Sequence, residues 1–218
     1  MKPVSISVPV KPQTPLVPPG IHPFVLQAIY GIGTQPGSNG NKPKNTIVLL
    51  FELPEQAPLE YTEDDGSVTR KPRVVSKWYN LSFNENADLR KHLEGLRGRP
   101  FTNQELVEFT LDKALGATGN LSVFHKKKND GTLRSDVSGL FSKNPGQVIK
   151  GTLPKQVFSV AQLENAAELK SCGIPEWVAK FVEKSDEYIN LLSNPTQKQA
   201  DAVDSNESVE ASDDSCPF

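Results

Sequence analysis

Apolar and polar positions alternate or cluster along this chain in a way that reads as strands first and helices later. Ile21 to Ile32 is apolar and extended, with Gly31 and Gly33 flanking Ile32 where a bulge or sharp bend is expected. The turn formers Gln35 to Asn41 end that strand, and Asn45 to Leu53 has the β-branched, aliphatic and aromatic content of a buried second strand. Pro54 to Thr69 is acidic and irregular, and Arg73 to Phe83 resumes a β-prone pattern, which predicts a long hairpin between strands two and three. Leu89, Leu93 and Leu96 then recur at helical spacing from Asn86 or Ala87 until Gly98 and Pro100. Thr102 and Glu105 form a capping-box pair opening a second helix, with Leu106, Phe109 and either Leu111 or Leu115 as its apolar positions before Gly116. Asn120 to Lys127 and Leu133 to Phe141 are short strands around Asn129-Asp130-Gly131, a strong hairpin turn.

The order is three strands, a helical insertion and a closing hairpin. Five antiparallel strands with a helix between the third and fourth predict a mainly β fold with the layout of an OB-fold-like barrel, although an unrelated α+β sandwich shares that order. Past the barrel, Val148 to Leu169 is a mixed connection. Pro175 to Leu192 reads as one amphipathic helix, its stripe formed by Trp177, Phe181, Val182, Tyr188, Ile189 and Leu192, packing on the barrel or on a second subunit. The expected organisation is a Pro-rich extended arm (1–20), the barrel (21–145), an extension carrying the amphipathic helix (146–192) and an acidic tail (193–218).

Charge sharpens this division. The 218 residues carry 24 Lys and Arg against 26 Asp and Glu. Asp201, Asp204, Glu207, Glu210, Asp213 and Asp214 follow the last cation, Lys198, so the body before them is net basic. A tail of Asp, Ser, Asn, Glu and Ala buries too little apolar surface to offset its ordering entropy and is expected to be disordered, with Pro217-Phe218 as its apolar handle. The longest purely apolar run, Ile47 to Phe51, is far short of a membrane span, and the start of the chain has no secretory pattern, so a soluble cytoplasmic protein with no membrane partner is expected. Cys172 and Cys216 suggest no disulfide framework, and His22, His92 and His125 lie far apart, so no metal and no cofactor are expected.

Enzymatic patterns are weak. Gly31-x-Gly33 runs into Pro36-Gly37 where a phosphate-binding helix would begin, and there is no Gly-Lys-Ser/Thr element. Asp64-Asp65 reads either as a Mg²⁺ pair or as two solvated carboxylates in an acidic loop.

Strand alternation points instead to binding. Val75, Lys77, Tyr79, Leu81 and Phe83 share one face of strand three, while Val74, Ser76, Trp78, Asn80 and Ser82 share the other. Trp78 thus sits on a mostly polar face, and Phe124 does likewise opposite Leu121, Val123 and His125. Each ring reads either as a base-stacking platform or as a core residue of a barrel in another register. Arg70, Lys71, Arg73 and Lys77 lie in or before strand three, and Lys126, Lys127, Lys128 and Arg134 surround the closing turn. Together with Tyr79 they are the candidate DNA contacts, a cationic groove able to follow a phosphate backbone. Arg97 and Arg99 add charge at the helix exit; for Arg90 and Lys91 a solvated face is the expectation.

The tail tip and the body also carry a resemblance. Asp213-Asp214-Ser215-Cys216-Pro217-Phe218 resembles the tip of bacterial and phage single-stranded-DNA-binding proteins, which in the bacterial members ends Ile-Pro-Phe. Ser76 to Phe83, Ala87 to Leu93, Arg97 to Thr102, Gly31 to Gln35 and Pro175 to Trp177 are similar to phage-encoded proteins of the OB-fold type in that family. The resemblance implies a non-enzymatic protein that coats single-stranded DNA during phage replication or recombination. It also implies that Asp213, Asp214, Pro217 and Phe218 recruit replication or recombination proteins. A homo-oligomer is compatible with it. The competing reading is an interaction adaptor whose barrel binds a protein; a nuclease accessory is a third.

Overall fold

The computed structural model describes residues 15–37, 40–62, 65–128 and 130–193. Most of the Pro-rich arm, Asp64, Asn129 and the acidic tail, including Asp213, Asp214, Pro217 and Phe218, lie outside these residues.

The fold is mainly β. Strands β1 (Gly20–Gln35), β2 (Lys44–Glu52), β5 (Val74–Asn80), β6 (Thr118–Lys127) and β7 (Leu133–Ser142) form a sheet in the order β5-β2-β1-β6-β7, and β8 (Gln156–Ser159) adds a sixth strand by pairing with β1. β3 (Leu59–Thr62) and β4 (Val68–Lys71) make a separate two-stranded hairpin. Helices α1 (Asp88–Arg97) and α2 (Asn103–Glu108) lie between β5 and β6, and α3 (Glu176–Val182) and α4 (Asp186–Ser193) follow β8.

Four expectations are corrected here. The sheet has six strands, not five, and is not closed into a barrel: its end strands β5 and β7 have no ladder between them. The acidic stretch expected to be irregular holds β3 and β4, where Tyr61 faces Thr69 and Glu60 faces Arg70. The second inserted helix shortens to α2, because Phe109 takes an extended conformation (ψ 122°) and Leu111–Ala114 restarts as a 3₁₀ turn. The long C-terminal helix is two helices. Ser185 is fully buried between them; its Oγ donates to the Val182 carbonyl and accepts from Tyr188 N, capping α4.

The described chain divides into two compact units: one holds 15–29 and 48–157, and the other 30–47 with 158–193. The first is built on Phe24, Leu26, Leu49, Phe51, Leu121 and Val137, all 2 % exposed or less, with Phe24 and Phe51 edge-to-face at 4.9 Å. Each such side chain contributes roughly 1.5–3 kcal/mol of burial. α1 presents Leu89 and Leu93 to this core, and packs on β5 and β7. Gly95 makes the approach possible, since a Cβ there would overlap the Leu140 carbonyl of β7. At the end of β2 the buried Glu52 carboxylate accepts from Thr152 N (2.8 Å), Thr152 Oγ1 (2.7 Å) and Leu153 N (3.0 Å), which anchors the segment leading to β8.

The second unit packs Tyr30 and Ile32 with Phe158, Val160, Leu163, Leu169, Val178 and Val182, and Trp177 meets Tyr30 edge-on at 6.4 Å. Glu187 of α4 accepts from Thr34 N (2.7 Å) and Thr34 Oγ1 (2.8 Å). Next to it Gly33 has φ +76°, and a Cβ there would sit 2.8 Å from Val160 Cγ1 and 2.9 Å from Ser185 Cβ. The bend expected from Gly31 and Gly33 is therefore a close approach to this clasp.

Candidate nucleic-acid interface

The face begins with the register of the β6–β7 hairpin. Lys126 pairs with Arg134, Phe124 with Asp136 and Lys127 with Leu133, so Phe124, Lys126 and Arg134 stand as neighbours on one face. A register shift at Ser122/Val123 puts a bulge just before them. Phe124 is 39 % exposed and Leu133 51 %, while Leu121 and Val123 are buried on the opposite face as the alternation requires. The turn is built locally: Lys128 N donates to the Thr132 carbonyl (2.8 Å), and Asp130 Oδ1 accepts from Thr132 N (2.9 Å) and Thr132 Oγ1 (2.6 Å). Those bonds hold the Asp130 carboxyl below its usual range. Lys126, Lys127 and Lys128 are thereby presented as exposed cations at the tip.

β5 and β7 approach each other across the opening that a closed barrel would seal. Lys77 Nζ donates to Asp136 Oδ1 at 2.9 Å, with the two side chains only 19 % and 9 % exposed, and Arg134 reaches Asp136 Oδ2 at 3.3 Å. Burial pushes the Asp136 carboxyl up, but the Lys77 hydrogen bond and charge, the Val137 amide and Arg134 together hold it below its ordinary value. His92 of α1 joins the same strands. Its Nε2 donates to the Ser138 carbonyl (3.1 Å), because a carbonyl can only accept, so Nδ1 accepts from the Tyr79 hydroxyl (2.7 Å). Burial raises the Tyr79 hydroxyl above its ordinary value, with Asp88 and Asp136 adding to the effect.

Three candidate contacts therefore turn inward. Tyr79 is 4 % exposed, Arg73 is 7 % exposed with its Nη2 on the Pro15 carbonyl (2.5 Å), and Lys77 is held by Asp136. Tyr79 and Lys77 lie on the end strand β5 and Arg73 just before it, and their polar groups are used to bridge to the surroundings, so residue type alone read as a groove. Trp78 is half-buried on the other face of the same strand.

A groove of about 660 Å³ runs between the hairpin tip and β5, walled by Lys128, Leu133 and Arg134 on one side and Val74 and Ser76 on the other, with Pro15 and Leu16 at its floor. Trp78 does not line it. The segment 15–18 is held by Val17 N donating to Ser135 Oγ (2.9 Å) and by His125 Nε2 donating to the Val17 carbonyl (2.9 Å). A second groove, about 1080 Å³, continues on the far side of Pro15 and Leu16 under the β3–β4 hairpin, against Pro58, Leu59, Tyr61 and Arg70. There Arg70 pairs with Glu60 at 2.9 Å and Lys71 lies 5.0 Å above the Tyr61 ring.

Tyr61, 38 % exposed with Lys71 over its ring, is the aromatic that sequence reasoning missed. Its signal was the short alternation Leu59-Glu60-Tyr61-Thr62, hidden within an acidic stretch. Among the described residues no group of three or more His, Cys, Asp and Glu is placed to hold a metal ion, and no helix is long and apolar enough to cross a membrane. No protein-family model matches the chain, and no curated protein matches it significantly.

Proposed function

We propose that this protein binds single-stranded DNA without sequence preference, using the outer face of the β6–β7 hairpin. The observation that carries this reading is the juxtaposition of exposed Phe124 with Lys126 and Arg134 on one strand pair, extended by Lys127 and Lys128 at the turn. An aromatic ring offers every base a π-face, and neighbouring cations neutralise phosphates, so the pair of features gives affinity without base-edge readout. The neighbour order supports an OB-like origin. Counting only the five long strands, the order is third, second, first, fourth, fifth, with the end strands apposed and α1 over their seam. Arg70, Lys71 and Tyr61 on the β3–β4 hairpin extend the cationic and aromatic surface past the segment 15–18.

In this reading the acidic tail recruits replication or recombination proteins through Asp213, Asp214, Pro217 and Phe218, and the setting is a phage-infected cell's cytoplasm. The net-basic body and acidic tail also suit competition between tail and DNA for the same cations. One observation favours an adaptor instead: α3 and α4 expose Trp177, Phe181, Ile189 and Leu192, apolar surface suited to a protein partner or a second copy.

The deciding experiment is titration of a thymidine oligomer of ~30 nucleotides, long enough for several OB-type sites, into wild type and Phe124→Ala at low and high salt. Saturable binding that Phe124→Ala weakens and salt suppresses supports the reading. Absence of binding at low salt, also after removal of the acidic tail, overturns it and leaves the adaptor.

A further inference from the structure

A separate cavity of about 320 Å³ lies between α1 and the segments flanking α2 in the first unit, within the size range of small-molecule sites. Its walls are Leu93 and Leu96 of α1, Phe101, Phe109, and Ala114 and Ala117 ahead of β6, with Arg97 and Lys113 as its cations. Phe101 and Phe109 meet at 5.0 Å and 64°, which gives the cavity an aromatic corner.

Two further facts make this more than a packing fault. Arg97 lies with its guanidinium carbon 4.1 Å above the Phe101 ring, and its Nη2 is held by Glu105. Its Nη1 is buried and has no hydrogen-bond partner, one of two such side-chain atoms among the described residues. A buried guanidinium N–H without an acceptor is costly, and an acceptor brought by a ligand removes that cost. The chain beside the cavity, moreover, is held by polar clips: Glu105 of α2, a helix that buries none of its residues, pairs with Arg97 and Arg99. Such an edge opens without opening the main core.

We infer that this cavity is a binding site for a small aromatic carboxylate, whose ring packs against Phe101 and Phe109 and whose oxygen accepts from Arg97 Nη1. Lys113 supplies the second positive charge facing the acid. Its Nζ donates to the Glu108 carbonyl, an uncharged acceptor, so that bond does not neutralise it.

The test uses the full-length protein and backbone amide NMR shifts, with phenylpropionate as probe and ethylbenzene as its uncharged counterpart. Saturable shifts at Phe101, Phe109, Ala114 and Ala117 are expected, with a Kd on the order of 1 mM for a ligand of this size. Ethylbenzene binds at least tenfold more weakly. Ala117→Leu fills the cavity without touching the Glu105 clips and abolishes the shifts in a protein that keeps its melting temperature. Arg97→Lys, which keeps charge but loses the planar fork, reduces the preference for the carboxylate. No saturable shift with folded wild type, equal binding of both probes, or binding unchanged by Ala117→Leu overturns the inference. DNA affinity is not involved, so this site stands or falls separately from the hairpin face.

Discussion

Lys77 and Asp136, 59 positions apart in the chain, join the two end strands of the sheet through a 2.9 Å ion pair that is almost out of solvent. The pair stands where a closed barrel would have backbone hydrogen bonds. Removing one partner leaves the other charge buried without a mate. Asp136→Asn is therefore expected to destabilise the protein by about 3 kcal/mol, and Lys77→Met with Asp136→Leu by distinctly less than the sum of the single changes. Urea unfolding of Asp136→Asn, the two single variants Lys77→Met and Asp136→Leu, and their combination measures this.

The same carboxyl sets an acid limit. Its folded value lies below the ordinary 3.8, so its contribution is present above about that pH and is lost as pH falls through the folded value. Asp136→Asn should flatten the stability curve below pH ~4.

His92 predicts an earlier loss. Burial, helped by the Lys77 charge, lowers the ring below its ordinary 6.5 against the opposing effects of Asp88, the Ser138 carbonyl and Asp136. The unfolded chain then takes up the proton first, so stability falls as pH drops from 6.5 towards the folded value and is constant above. His92→Gln, able to accept from Tyr79 and donate to Ser138, should remove that slope. His92→Leu should instead cost about 1–3 kcal/mol at every pH by stranding the Tyr79 hydroxyl. Melting temperatures across the range separate the two.

Two glycines with the same backbone sign should behave differently. Gly33 and Gly40 have φ +76° and +78°, but a Cβ at Gly33 strikes Val160 and Ser185, and at Gly40 it meets open space. Gly33→Ala is expected to cost about 3 kcal/mol or more and Gly40→Ala about 1 kcal/mol, the strain of a left-handed non-glycine alone. Thermal unfolding of both variants tests the clasp around Glu187.

On the proposed interface, Phe124→Ala should lose roughly 1–3 kcal/mol of affinity for thymidine oligomers, the usual value of one stacked base. Replacing Lys126 and Arg134 together should reduce the log–log salt slope by about 0.7 for each phosphate no longer neutralised. Trp78→Ala, at a half-buried position outside the groove lining, should act mainly on stability. Fluorescence titration over a salt series measures both effects. A Trp78→Ala protein that is stable but fails to bind would move the interface to the other face of β5.

Much of the fold was legible because its signals are local. Alternation grouped Val75 with Tyr79 and set Leu121 and Val123 apart from Phe124, although it did not say that Tyr79, read as a DNA contact, is buried; Thr102 and Glu105 specified a cap, and Asp130-Gly131 a turn; all three features depend only on residues a few positions apart. The burial of Ser185 was not legible, since a serine inside an apolar period looks like a tolerated polar position until its hydroxyl is seen to cap the next helix. The same limit applies to cations. Arg70, Arg73, Lys77 and Lys126 read alike as basic residues near strands. Only the apposition of β5 to β7, and of segment 15–18 to both, gave Lys77 a carboxylate and Arg73 a carbonyl, while leaving Lys126 in water. The order of residues was enough to say which segments extend, coil and turn, and where charge accumulates, because these follow from side-chain period, capping chemistry and composition. Which charges remain for a ligand, and whether the sheet closes, depended on partners far apart in the chain, and that pairing exists only once the strands are packed.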